Sequence, residues 1–185
     1  MLDLVRASAR FQAQLDSLGL PNCIIGGLAL QAWGELRLTR DADFTVLTNF
    51  ENEESKARLI LSLLTPRRPD ALQFALHNRV LLGYVDGDIS IDIGLGGFEY
   101  EAKIVERAVR FEFAPSLWLR ICSAEDLVIM KTFAGRDQDW NDIKGIIDRQ
   151  VSLDWDRIEF ELPALLELVE DPERLERLLT LRGER

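Results

Sequence analysis

The stretch Ile25-Gly26-Gly27-Leu28-Ala29-Leu30, followed fourteen positions after Gly27 by Asp41-Ala42-Asp43-Phe44, decides how this chain is read. Asn22 to Ile25 is a short apolar run that predicts a strand, and Leu28 to Glu35 predicts a helix starting directly after the glycines. From Asp41 to Leu47 the pattern has period two: Ala42, Phe44 and Val46 face one way, Asp41, Asp43 and Thr45 the other. Asp41 and Asp43 therefore project from one face, about 6.5 to 7 Å apart at Cα. Downstream, Arg79 to Val85 and Asp88 to Ile93 form two extended runs joined through Asp86-Gly87, a hairpin signal. In the second run Ile89, Ile91 and Ile93 alternate with Ser90 and Asp92.

If these strands share a sheet, Asp92 emerges on the same side as Asp41 and Asp43. Carboxylate oxygens suit Mg²⁺ or Mn²⁺, and three from two strands can hold two ions roughly 3.5 to 4 Å apart, the spacing for in-line displacement at phosphorus. Gly26 and Gly27, without side chains, let backbone N–H groups at a helix N-terminus approach a phosphate chain. Taken singly, Gly-Gly is more often a tight turn and Asp-x-Asp a solvated edge. Together they imply a nucleoside triphosphate.

The rest of the chain frames that site. With 185 residues, 47% hydrophobic and 29% charged, the composition is that of one ordinary globular domain with a small appendage, not a disordered or fibrous chain. Twenty-two Lys and Arg against 32 Asp and Glu give a net charge of -10, so a bulk positive field for nucleic acid is excluded. Asp3, Arg6, Arg10 and Asp16 interrupt the N-terminus, which is not expected to be a signal peptide, and no run approaches the roughly 18 apolar residues of a membrane span. A cytoplasmic protein without a membrane partner is expected, with Cys23 and Cys122 reduced and buried. Two cysteines and the single histidine, His77, exclude a Cys₄ or two-histidine zinc site.

Helices are also expected over residues 3–18, 52–64 and 98–108, with further strands over 109–113 and 117–121. After Ser123, whose spacing to Asp126 suggests a capping box, only helices are expected. The implied organisation is an α+β catalytic core over residues 1–121 and a helical C-terminal subdomain over 122–185, packed on that core. Arg67-Arg68, in a loop bounded by Pro66 and Pro69, reads as a nucleic-acid handle or, more often for a single basic pair, as plain surface. Trp33, Trp118, Trp140 and Trp155 read as core, and the stripe of Leu165, Leu166, Leu168, Leu175, Leu178 and Leu179 as core, the commoner outcome at this spacing, or as a partner surface.

The segment from Ile25 through Arg37-Leu38-Thr39-Arg40-Asp41-Ala42-Asp43-Phe44 resembles the active-site motif of the nucleotidyltransferase superfamily, the polymerase-β-like fold, and looks most like its AbiEii/AbiGii toxin-type branch. Ser123-Ala124-Glu125-Asp126-Leu127 with Lys131, Ala134-Gly135-Arg136, Asp139 and Asp142 is similar to that branch's helical block, so the likeness spans about residues 22 to 150. The resemblance implies a mixed β-sheet core flanked by helices. It further implies Mg²⁺- or Mn²⁺-dependent transfer of a nucleoside monophosphate, such as that of ATP, to an acceptor hydroxyl with release of pyrophosphate.

By position, Asp41, Asp43 and Asp92 would be metal ligands, with Asp92 alternatively the base for the acceptor, and Gly26 and Gly27 would meet the triphosphate. Lys131 would reach phosphate or snorkel past the core. Arg37 and Arg40 flank the metal strand as phosphate or substrate contacts, Arg40 at the nucleotide, or as plain surface, while Asp139 and Asp142 would orient Lys131 and Arg136, line the nucleotide site, or form an exposed acidic helix face. The branch further implies a toxin of a toxin–antitoxin or phage-defence pair with a cognate antitoxin protein, acting on an RNA end or a small molecule. Two rivals compete: a non-catalytic nucleotide- or partner-binding module, and a metal-dependent phosphodiesterase that would leave Gly26-Gly27 and Lys131 unexplained.

Overall fold

A computed structural model describes residues 1–184. Seven strands form one mixed sheet in the order β3-β4-β5-β2-β1-β7-β6: β1 (Asn22–Ile25), β2 (Asp41–Leu47), β3 (Thr65–Pro66), β4 (Val80–Val85), β5 (Ile89–Gly96), β6 (Val109–Ala114) and β7 (Leu117–Ile121). β2 runs parallel to β5 and β1 parallel to β7, and the other neighbours are antiparallel. The helices among the described residues are α1 (Leu2–Ser17), α2 (Gly26–Trp33), α3 (Glu53–Leu61), α4 (Ala71–Asn78), α5 (Glu99–Glu106), α6 (Ala124–Ala134), α7 (Asp137–Arg149), α8 (Trp155–Glu167) and α9 (Glu173–Gly183). None is long and apolar enough to cross a membrane.

The chain forms two compact units. One comprises residues 1–29 and 38–122, the other residues 30–37 and 123–185. Segment 30–37 thus groups with the helical unit, where Arg149 donates to Gly34 O at 2.7 Å and Gln150 to Trp33 O at 2.6 Å. A division read at residue 121 alone does not show that segment's allegiance.

Period-two alternation builds the sheet unit. The register sets Ile121 beside Ile24, Ile24 beside Phe44, Phe44 beside Ile93 and Ile93 beside Leu81. That row crosses five strands, and all five side chains are fully buried. Phe11 of α1 meets Phe44 edge-on with ring centroids 5.3 Å apart. Burial of each of these five side chains stabilises the fold by roughly 1.5 to 3 kcal/mol. α1 is further tied to the sheet by Gln12, which donates to Asn22 Oδ1 at 3.0 Å and accepts from Arg120 N at 2.7 Å.

Some elements differ from expectation. α2 begins at Gly26, so the glycines form its first turn and do not merely precede it. α4 lies where no helix is expected. Its buried positions are Ala71 and Ala75, which give a helical stripe too small to stand out. In the helical unit Leu166 and Leu178 are buried but Leu168 is exposed, and in the sheet unit Trp118 is 44% exposed, contrary to the core reading.

Candidate active site

The face of the sheet opposite the Phe44 row carries the carboxylates. One residue along from that row, Ile25 pairs with Asp43, Asp43 with Asp92, and Asp92 with Leu82. Asp43 and Asp92 therefore sit side by side on parallel neighbours, about 4.8 Å apart between strands. Asp41 pairs with Ser90 and Ser90 with Tyr84 on the same face. Parity makes this outcome unavoidable: once Phe44 and Ile93 are committed to the core, Asp43 and Asp92 must point away from it.

Gly26 closes one side of this face. Its φ of +59° is left-handed, and a Cβ there would collide with the Asp43 carboxylate, whose Cγ would lie at 2.8 Å. A Cβ on Gly27 would come within 2.7 Å of Thr39 Oγ1. Thr39 Oγ1 in turn donates to Asp41, with O and Oδ1 both at 3.2 Å. The two glycines thus let the start of α2 press against both aspartate-bearing positions. Gly26→Ala is expected to destabilise the protein by about 1 to 3 kcal/mol, from positive φ and the clash together. Urea denaturation checks this, and an unchanged midpoint would contradict it.

Arg67 is not the plain surface residue its loop suggests, for it reaches the carboxylate face. Its guanidinium bonds Asp92 Oδ1 through Nη2 and donates to Ser90 Oγ through Nη1 at 2.9 Å. Arg68 next door pairs instead with Asp70 and lies over the Phe74 ring at 3.8 Å. Burial pushes the Asp92 carboxyl above the ordinary carboxylate range. Arg67 pulls it back and the Asp41 charge adds to the rise. Arg40 is exposed beside Asp41.

Among the described residues no three His, Cys, Asp or Glu side chains form a ready-made metal cage, Asp92 being turned onto Arg67. The donor set nevertheless fits a hard divalent ion: Asp41, Asp43 and Asp92 offer only oxygens, and the sheet register puts them on one face. The glycine cradle leaves Asp43 room that any side chain at position 26 would fill.

The other sequence-derived residues gather in the helical unit. Lys131 on α6 is 6% exposed, and its Nζ lies 2.6 Å from Asp142 Oδ2 and 3.2 Å from Asp139 Oδ1, both on α7. Arg136 Nε donates to Asp139 Oδ2 at 2.6 Å, and Arg136 N reaches the same oxygen at 3.2 Å. Gln138 donates to Asp142 at 2.9 Å, and Arg37 Nε lies 3.6 Å from Asp142 Oδ1. Asp139 and Asp142 are 1% and 6% exposed, which corrects the reading of an exposed acidic helix face, and their contacts are those of groups that orient Lys131 and Arg136. Lys131 neither snorkels nor stands open; its ammonium is enclosed in an ion-pair network.

Burial pushes Asp139 upward, but hydrogen bonds and charge from Arg136 and Lys131 outweigh it, and its pKa lies below the ordinary value. A carboxyl held low when folded stabilises above its unfolded pKa, and that contribution is lost as pH falls through the folded value. Asp139→Asn should therefore flatten the acid limb of stability below about pH 4. Urea midpoints measured between pH 3 and pH 6 check this; a limb as steep as in the wild type would contradict it.

No protein-family model matches the chain, and no curated relative matches it. Among solved structures, the chain is similar to an antigenic nucleotidyltransferase-like protein from Paracoccidioides brasiliensis, with a TM-score of 0.53 at 17% identity over 97% of this chain and 93% of the other. The fold is nucleotidyltransferase-like. The solution structure of the antibiotic-resistance factor ANT(2'')-Ia is also similar, with a TM-score of 0.50 at 19% identity over 97% of this chain and 89% of that one. At these identities the likeness carries the fold, and the chemistry must be argued from this chain's own residues.

Proposed function

We propose that the chain is a nucleotidyltransferase that moves a nucleoside monophosphate from a nucleoside triphosphate to an acceptor hydroxyl. The observation that carries this reading is the register pairing of Asp43 with Asp92, with Asp41 one step along the same face and Gly26 closed against Asp43. Asp41, Asp43 and Asp92 would hold Mg²⁺ or Mn²⁺, which when bound supplies Lewis-acid neutralisation of the polyphosphate. The first turn of α2 offers N–H groups at Gly26 and Gly27 to phosphate oxygens. Arg40, exposed beside Asp41, adds a cation for the same chain of phosphates.

In the reaction the acceptor oxygen bonds to the α-phosphorus, the bond from that phosphorus to the bridging oxygen breaks, and pyrophosphate leaves. Asp92, beside Asp43 on the next strand, takes the acceptor's proton where it acts as the base, its alternative role to third ligand. Lys131, Asp139 and Asp142 act at one remove in this reading, fixing the α6–α7 block that resembles the helical block of the AbiEii/AbiGii toxin-type branch.

The acceptor we assign is an RNA end, in the setting of a toxin with a cognate antitoxin protein, as the AbiEii/AbiGii-like motifs imply. Arg67 on the carboxylate face, with Arg40 next to Asp41 in the chain, favours an acceptor that carries phosphate over a polycationic drug. A net charge of -10 confines such a substrate to contacts near that face. A small-molecule acceptor is the second reading, favoured by the fold's likeness to an antibiotic-resistance factor.

Incubation with α-labelled triphosphates, Mg²⁺ and two sets of acceptors, RNA ends and small hydroxyl compounds including aminoglycosides, tests the assignment. Label on RNA is the expected result. Label on a small molecule alone would replace the acceptor, and triphosphate binding without transfer to either set would favour the non-catalytic module.

A further inference from the structure

We propose that Arg67 is the resident counter-cation of the carboxylate face: it holds Asp92 until a divalent cation displaces it, and so sets how tightly the face takes that cation. The inference rests on the reading of Asp41, Asp43 and Asp92 as one cation-binding set.

The backbone aims Arg67 there. β3 is two residues long, Thr65 pairing with Tyr84 and Pro66 with Gly83, and Arg67 N continues the ladder by donating to Leu82 O at 3.0 Å. Leu82 is the register neighbour of Asp92, and Tyr84 that of Ser90. A side chain leaving the backbone at position 67 on this face crosses β4 and ends on β5. It does so, with its guanidinium 6.0 Å from the centre of the Tyr84 ring and its ends on Ser90 and Asp92.

The contact is built to be released. Only one guanidinium nitrogen bonds Asp92; the second serves Ser90, and the buried Nε has no hydrogen-bond partner. A bidentate fork would hold the carboxylate more firmly than this divided grip. Both side chains stay partly open, Arg67 at 25% and Asp92 at 30% exposure, so the guanidinium can swing away without crossing a packed core. Three carboxylates on one face need a counter-charge when no divalent ion is bound, and Arg67 is the cation whose contacts fall on Asp92. Arg68 is occupied by Asp70 and contributes nothing there.

Binding of Mn²⁺, followed by the loss of the free-ion electron paramagnetic resonance signal, is the test. Arg67→Gln should bind Mn²⁺ about threefold to tenfold more tightly than the wild type, the range expected for removing a partly exposed competing ion pair. Arg67→Lys, which keeps the charge, should return to within about twofold of the wild type, and Arg68→Gln should match it. Damage to the site weakens binding, so a gain separates competition from a merely structural role. As a second readout, Arg67→Gln should melt lower than the wild type without metal, and the difference should vanish at saturating Mn²⁺. Equal or weaker Mn²⁺ binding by Arg67→Gln overturns the proposal. If at the same time the wild type binds Mn²⁺ and Asp43→Asn does not, the cation-binding reading survives that failure. If neither the wild type nor Arg67→Gln binds the ion, both fall.

Discussion

Replacing Asp43 by asparagine is expected to lower metal-dependent nucleotidyl transfer by about a thousandfold while leaving the fold intact. Asp43 lies between Gly26 on one side and Asp92 on the other, so it is the carboxylate with neighbours on both flanks of the proposed site. Asparagine keeps the side chain's shape against the glycine but removes the negative charge. A loss of about 4 kcal/mol of transition-state stabilisation corresponds to that thousandfold. Stability should move little, since crowded carboxylates repel and losing one charge relieves the face. Rates of label transfer and urea midpoints measured on the same preparations check both halves. Transfer within tenfold of the wild type would remove Asp43 from the machinery.

Lys131→Met should have the largest effect on stability. The ammonium sits between Asp139 and Asp142, which are 1% and 6% exposed, and methionine fills its volume without its charge. Breaking a buried ion pair from one side typically costs 3 to 5 kcal/mol, because the remaining charge is left without its partner. Here Arg136 still serves Asp139, and Arg37 and Gln138 still lie at Asp142, so the loss should fall near about 3 kcal/mol. Urea denaturation gives the number, and a change below about 1 kcal/mol would show that the arginines alone satisfy the aspartates. Restoring the balance with Asp142→Asn in the Lys131→Met background should recover part of the loss, as expected of groups in one network.

How much of this was legible in the sequence depends on the range of the interaction. β1, β2 and β5 were readable because their alternation is local, and the same alternation fixes the face of Asp41, Asp43 and Asp92. That β2 and β5 are direct neighbours, with Asp43 opposite Asp92, depends on strand order, which no local pattern encodes. Arg67 escaped for a related reason. Its route to Asp92 runs through a two-residue strand paired to β4, too short to show any period, and a loop arginine between prolines looks the same whether it meets solvent or a carboxylate. Lys131 could be placed on an apolar helix face, but its aspartate partners come from the next helix, and it is the packing of α6 on α7 that brings them to its ammonium. Segment 30–37 gave no signal for joining the helical unit, since the bonds that hold it there end on Arg149 and Gln150, more than a hundred residues away.

The central claim is that the Asp41, Asp43 and Asp92 face holds a divalent ion together with a nucleoside triphosphate. Calorimetric titration of a triphosphate into the wild type and into Asp43→Asn, each with and without Mg²⁺, tests it most directly. Mg²⁺ should strengthen binding by the wild type at least about tenfold and give no such strengthening in Asp43→Asn. Equal triphosphate affinity in the two proteins at saturating Mg²⁺ would contradict it.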